Sequence, residues 1–367
     1  MTSKQLTQRN AGFTLIELLI SVVIGLLGIV VMFQVLTVWD SLKRTTAAGS
    51  DAQISGTVAM YSLERDLRPA GLGFGRGADG NAVPSLGCKV SSKKKSPASA
   101  AFSATATSPD YFSLVPVRIV DGAGGAPDQI VTLYGNSSLF VSTQKFKATA
   151  ATTKTVDGSY GGFRVGDVVI AGGATSAVGC ELLQVADVAT AGVLGHATAL
   201  DFNAAPVAIS VATGFLYNLG PLPQRNVWSI QSEKLYRTDS LYSDAATEVA
   251  DNIINLQAQY GIDGFGGGSA VDGILEDTDW TATAPTDWTK LLAIRVALLS
   301  RSQQFEKIEV TDGGAGTAAA PSWSGGSFTM SNISGATGDA ANWKRYRYRV
   351  YEKVIPLRNM VWGGEYQ

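Results

Sequence analysis

Histidine is almost missing from this chain of 367 residues: His196 stands alone, and every scheme that needs two histidines is excluded. No G-x-S-x-G, H-E-x-x-H, C-x-x-C or Walker A pattern occurs, so no hydrolase elbow, zincin helix, redox dithiol or P-loop is present. Charge is also scarce. Only 16% of the residues are charged and the formal net charge is -2, too small and too evenly spread to suggest a nucleic-acid partner. The run Lys93–Lys95 reads as a wet loop among serines. No cofactor and no catalysis are expected, and the sequence has no internal repeat.

"GFGRGA", from Gly73 to Ala78, formally fits a dinucleotide-binding fingerprint. That fingerprint needs a strand before it and a helix after it; here a helical pattern precedes, and the glycines read as a helix stop. "DGFGGGSAVDGILEDTD" gathers Asp263, Asp272, Glu276, Asp277 and Asp279 in a glycine-rich stretch. Hard cations want several oxygens, but the alternate-acid spacing of an EF-hand is absent, so a solvated turn is preferred over a calcium loop.

What the chain has in plenty is hydrocarbon near its start. From Phe13 to Trp39 Leu, Ile and Val dominate and Glu17 is the only formal charge. As a helix this run is about 40 Å long, more than the roughly 30 Å of a bilayer core. A secretory signal would have an apolar region of about 7–15 residues and a small-residue cleavage site, which does not fit. Lys4 and Arg9 precede the run and no acid does, which keeps that end cytoplasmic, although Lys43 and Arg44 on the far side blunt the signal. An acid at the centre of a membrane helix costs on the order of 2.5–3.5 kcal/mol. Glu17 sits only about 6 Å inside, where the helix dipole favours it and snorkelling to the interface is open to it.

Past Arg44 the pattern turns amphipathic. Ile54, Val58 and Tyr61 fall at helical spacing, as do Leu63 and Leu67, until Pro69 and the glycines of "PAGLGFGRG" stop it. The remaining roughly 300 residues suffice for one large domain or two small ones. They read mainly as strands: "DYFSLVPVRIV", "DQIVTLYG", "FRVGDVVIAG", "CELLQVADV", "NVWSIQSEKLYRT", "LLAIRVALLSRS" and "RYRVYEKVIPL". "SDAATEVADNII" reads as a short helix leading into the strand "NLQAQYGID". Ser91–Ser108 and Thr311–Gly326 are linker-like. The class is α+β, a long N-terminal helix packed on a mostly antiparallel sheet. Cys88 and Cys180 lie outside the cytoplasm in this topology and are expected to pair, closing a loop of roughly 90 residues that stabilises by about 4–5 kcal/mol through chain entropy.

A short basic leader ending in Gly12, then "FTLIE" and a long apolar helix, resembles the class III signal of type IV prepilins and of type II secretion pseudopilins. "YSLERDLRPAGLG", "FRVGDVVIA" with "CELLQV", "NLQAQYGID", "LLAIRVALLSRS" and "RYRVYEKVIPLRNM" are similar to PilW-type minor pilins. The nearest alternative is the J-type minor pseudopilin, and a membrane-tethered adhesin or ligand-binding module is a third. The PilW resemblance implies a type IV pilin-like fold with residues 1–12 as leader, 13–39 as the membrane and filament-core half of the helix, 40–68 as its amphipathic half and 69–367 as a β-rich periplasmic head. It implies cleavage by a prepilin peptidase between Gly12 and Phe13, methylation of Phe13, and pairing of Glu17 with the Phe13 amine of a neighbouring subunit. Other minor pilins and the major pilin are the implied partners, after a stay in inner-membrane lipid. The place implied is the pilus tip or priming complex, with roles in twitching and adhesion.

Overall fold

The computed structural model describes residues 12, 14–75, 83–91, 112–139, 143–158, 161–196, 200–203, 211–243, 245–266, 270–306, 309–311, 320–330 and 342–361. Lys93–Lys95, Phe13, nearly all of Ser91–Ser108 and half of Thr311–Gly326 lie outside them. The chain divides into two compact units, Met1–Ser50 and Asp51–Gln367. The helix α1 (Leu15–Leu67) contributes to both. The strands are β1 (Val90–Ser91), β2 (Val117–Val120), β3 (Gln129–Tyr134), β4 (Gln144–Ala150), β5 (Thr153–Val156), β6 (Val168–Gly172), β7 (Cys180–Gln184), β8 (Val193–Gly195) and β9 (Gly214–Gly220). After them come β10 (Gln224–Gln231), β11 (Lys234–Asp239), β12 (Ala246–Ala250), β13 (Ile253–Ile262), β14 (Trp280–Thr281), β15 (Leu291–Arg301), β16 (Ser322–Trp323), β17 (Gly326–Ser327) and β18 (Tyr348–Pro356), followed by the short helix α2 (Arg358–Val361).

Three main sheets result, with strand orders β1-β7-β6-β9-β4-β5-β8, β12-β11-β10-β3-β2 and β14-β13-β15-β18. Their pairings are antiparallel apart from β1 with β7. All eleven residues of β15 are buried, because both of its faces are covered, and its sequence is accordingly apolar on both faces apart from Arg295, Ser300 and Arg301 rather than an alternation. Ile294, Val296 and Leu298 join the large core with Ala59, Leu63 and Leu67 of α1. Ala297 and Leu299, pointing the other way, pack with Ile254, Phe328 and Met330. The strands β4 to β9 form an insertion between β3 and β10, which pair with each other from Tyr134 opposite Gln224 to Ile130 opposite Trp228. This insertion has its own core of Phe146, Val156, Phe163, Val169, Leu183, Leu194 and Leu216.

Two expectations change. "SDAATEVADNII" is no helix: β12 pairs with β11, and Asn252, at φ 57, turns the chain into β13. Its helical spacing is outweighed by the ladder of a sheet edge, and a residue with positive φ ends regular structure. "NVWSIQSEKLYRT" is two strands, not one. Ser232 and Glu233 at φ 47 and 64 close a two-residue hairpin between Gln231 and Lys234, a type I′ turn without the usual Asn or Gly.

The core also holds ionisable groups. Lys154 Nζ lies 2.7 Å from Glu181 Oε2, and the two side chains are 1% and 5% exposed. Beside this pair, burial first and the Lys154 ammonium second push the His196 imidazole down to about 4. Asp128 accepts from the N–H groups of Gly122 and Ala258 at 2.9 and 2.8 Å, yet burial outweighs them and pushes its carboxyl up to about 6. The two groups act in opposite senses. Neutral His196 gives its full stability above pH 6.5, and this is lost as pH falls towards 4. Buried Asp128 carboxylate costs stability above about pH 6, and the cost is relieved as pH falls towards 3.8. In urea melts between pH 4 and 6.5, His196→Gln is expected to remove an acid-linked loss on the order of 2–3 kcal/mol, and Asp128→Asn to deepen that loss.

Candidate assembly site

In the N-terminal unit, Thr14 caps α1 and Glu17 is its third residue. The Glu17 N–H donates to Thr14 Oγ1 at 3.3 Å, and the Thr14 N–H donates back to Glu17 Oε2 at 3.4 Å. This is a reciprocal capping box, Thr-x-x-Glu, which satisfies two of the helix's orphan donors. "FTLIE" therefore contains a local structural reason for its acid, and the T-x-x-E spacing was the signal for it. From Leu15 to Asp40 the helix is long and apolar enough to cross a membrane, and none of it is buried. Gly12 is exposed, with open space around it.

In the second unit, the end of α1 buries Ala52, Gly56, Ala59, Met60, Leu63 and Leu67, one stripe at helical spacing. Leu63 and Leu67 lie inside as their spacing suggests. Ile54, Val58 and Tyr61 do not: they are 60%, 45% and 63% exposed. Small residues explain the choice of face. At Gly56 an added Cβ would collide with the Tyr351 ring of β18, so the inner face is the one that lets a strand approach closely.

Asp66 lies near the C-terminal end of α1, where the helix dipole disfavours negative charge, and it is 6% exposed. Four side chains compensate. Tyr134 OH and Asn226 Nδ2 donate to Oδ1, each at 2.7 Å, and Thr132 Oγ1 and Trp228 Nε1 donate to Oδ2 at 2.8 and 2.6 Å. These donors come from β3 and β10, the two strands that flank the insertion. Two residues earlier, Glu64 accepts from Lys353 Nζ of β18 at 2.6 Å and pairs with Arg68. The Lys353 ammonium holds this carboxyl below its usual range, with burial opposing and Arg68 assisting. Beyond the helix, Asn359 Nδ2 of α2 donates to the carbonyls of Pro69 and Ala70 at 3.0 and 3.1 Å. The segments "ERDLRPAG" and "EKVIPLRN", nearly three hundred residues apart, thus form one clamp. Asp66 was missed from sequence because its donors, types common everywhere, are separated from it by 66 to 162 residues.

Cys88 and Cys180 form a disulfide, Cα atoms 5.9 Å apart and both sulfurs buried. It joins the segment before β1 to β7, and Ser85 Oγ adds a bond to the Gly173 carbonyl at 2.5 Å. Two acids of the acidic stretch are engaged by backbone N–H groups. Asp263 accepts from the N–H groups of Asp272 and Gly273, and Asp279 from those of Phe265, Gly266 and Glu276. Among the described residues no group of three or more His, Cys, Asp or Glu is placed to hold a metal ion.

Residues 7–33 match the Prokaryotic N-terminal methylation motif, and residues 226–359 match the family described as Type IV Pilus-assembly protein W. No curated protein and no solved structure matches the chain. The second match runs from Asn226, a donor to Asp66, to Asn359, which holds the end of α1. A methylation-motif N-terminus on an apolar helix, followed by a β-rich antiparallel domain, defines the pilin class. Within it, the two matches together support a PilW-type pilin with a prepilin leader. It is a minor pilin related to the type IV pilus, from a family of structural assembly proteins that associate with other pilus components. The apolar helix suits anchorage in a membrane and a later place in the pilus.

Removing the Asp66 carboxylate orphans four buried donors. Asp66→Ala is expected to destabilise the β-rich unit by on the order of 3–5 kcal/mol, whereas Tyr134→Phe, which removes one donor, costs about 1 kcal/mol. Denaturant melts of the two variants check both values.

Proposed function

We propose that this minor pilin primes assembly of the type IV pilus and is built into its tip, contributing to biogenesis, twitching and adhesion. Before assembly it rests in the inner membrane by α1, with its β-rich unit in the periplasm. A prepilin peptidase cuts between Gly12 and Phe13, and the new Phe13 amine is methylated. The observation that carries the reading is the helix surface: from Leu15 to Trp39 every side chain is exposed, and Glu17 is the only acid among them. Such a surface is satisfied first by lipid and then by the apolar helices of other pilus subunits. In that low-dielectric bundle a carboxylate needs a cation, and the Phe13 amine of a neighbour supplies one. Glu17 then sets the axial register. Ile54, Val58 and Tyr61, exposed on the part of α1 that belongs to the β-rich unit, offer that unit a separate apolar surface for contact with other subunits.

The capping box gives Glu17 a second duty, and one substitution separates the two. Glutamine serves at the third position of a capping box as glutamate does, but it carries no charge. Intact mass and N-terminal analysis of protein from the native bacterium should find a chain that begins with methylated Phe13. Glu17→Gln, although still capped, should be as poorly incorporated into sheared pili as Glu17→Leu. Normal incorporation of the glutamine variant would reduce Glu17 to a helix cap, and a membrane anchor that tolerates both variants would point to a tethered adhesin.

A further inference from the structure

The loop from Asp263 to Asp279 carries more hydrophobic surface than a turn between strands requires. Phe265, Val271 and Ile274 are 50%, 63% and 62% exposed. The neck that carries them is held firmly. Asp263 and Asp279, 5% and 0% exposed, take five backbone N–H groups between them. Gly266 approaches Thr278 closely enough that no Cβ fits between them. Leu275 turns inward with Trp280 against Gly261, where an added Cβ would lie 2.7 and 2.9 Å from them, so the loop's share of the core is already provided. The three outward side chains are largely solvated, and the described ends of the loop that carry them are held by the neck; exposed apolar side chains on such a support are a recognition feature.

The charge around them selects the partner. From Asp263 to Asp279 there are five acids and no lysine, arginine or histidine. Asp272 and Asp277, both exposed, flank the apolar side chains. An anionic lipid surface would repel such a rim. We infer that Phe265, Val271 and Ile274 form a plug for an apolar socket rimmed by lysine or arginine on the globular part of a different pilus subunit. This rests on the assembly role proposed above and adds to it a specific lateral contact, because complementary charge around an apolar centre sets register and partner choice.

A photo-reactive phenylalanine analogue at Ile274, or in a second strain at Val271, tests this in the full chain in its native bacterium. Illumination should give a covalent adduct with another prepilin-type subunit, at a peptide that contains lysine or arginine. Adding Asp272→Lys and Asp277→Lys should reduce the adduct by roughly tenfold, with the melting temperature of the protein changed by no more than about 2 °C. Adducts to lipid or to a second copy of this chain, no adduct from either position, or an adduct indifferent to charge reversal would overturn the inference. Sheared pili from the same strains separate the two readings. If the protein is present in them but the adduct is missing, the plug alone fails; if it is absent while Glu17→Gln changes nothing, the assembly role fails.

Discussion

A carboxylate buried at the wrong end of a helix is a liability until something neutralises it. Asp66 is placed where the dipole of α1 opposes it, and only the convergence of Tyr134, Asn226, Thr132 and Trp228 makes the position tenable. That requirement fixes more than one side chain. It sets the rotation of the last turns of α1 against β3 and β10, which puts Ala52, Gly56, Ala59, Leu63 and Leu67 inside and leaves Ile54, Val58 and Tyr61 outside. A hydrophobic stripe alone tolerates some slippage about the helix axis, whereas four directed hydrogen bonds do not. Lys353 on Glu64 and Asn359 on the carbonyls past Leu67 fix the position along the axis in the same way.

Two acids near the C-terminal end of α1, Glu64 and Asp66, are paired within the fold. Glu17, at the other end, has among the described residues its local cap, at 3.3 to 3.4 Å and in full exposure. These contacts are long for hydrogen bonds to a carboxylate.

Much of this was legible in the sequence. The apolar run of α1 was plain because it is long, and its end because proline and glycine follow at once. Strands such as β13 and β15 were plain because they are long runs of mostly apolar residues bounded by polar segments. The failures have physical causes. Ile54, Val58 and Tyr61 have helical spacing and large apolar side chains, but the packed face was decided by Gly56 and the ring of Tyr351, a contact across nearly three hundred residues. The β10–β11 turn escaped notice since Ser232 and Glu233 are ordinary residues held at positive φ by the ladder on either side. "SDAATEVADNII" is helical by spacing and a strand by its place at a sheet edge. In the candidate site, Gly12 and Glu17 were visible through local motifs, and Asp66 was hidden because its meaning lies wholly in distant donors.

The seven-stranded sheet has a further consequence. Six of its strands, β4 to β9, enter after β3 and leave before β10, while β1 joins it from before β2; β3 and β10 are hydrogen-bonded neighbours, with Tyr134 opposite Gln224. The entrance and exit of this insertion are thus pinned side by side by the same strands that hold Asp66; one set of its hydrophobic residues forms a separate core, while Val168, Ile170, Leu182, Tyr217 and Leu219 join the large one. Neither match to a known family reaches the insertion. An arrangement of this kind behaves as a cassette: growth within its loops adds only a slowly rising closure entropy and leaves the pairing of β3 with β10 in place.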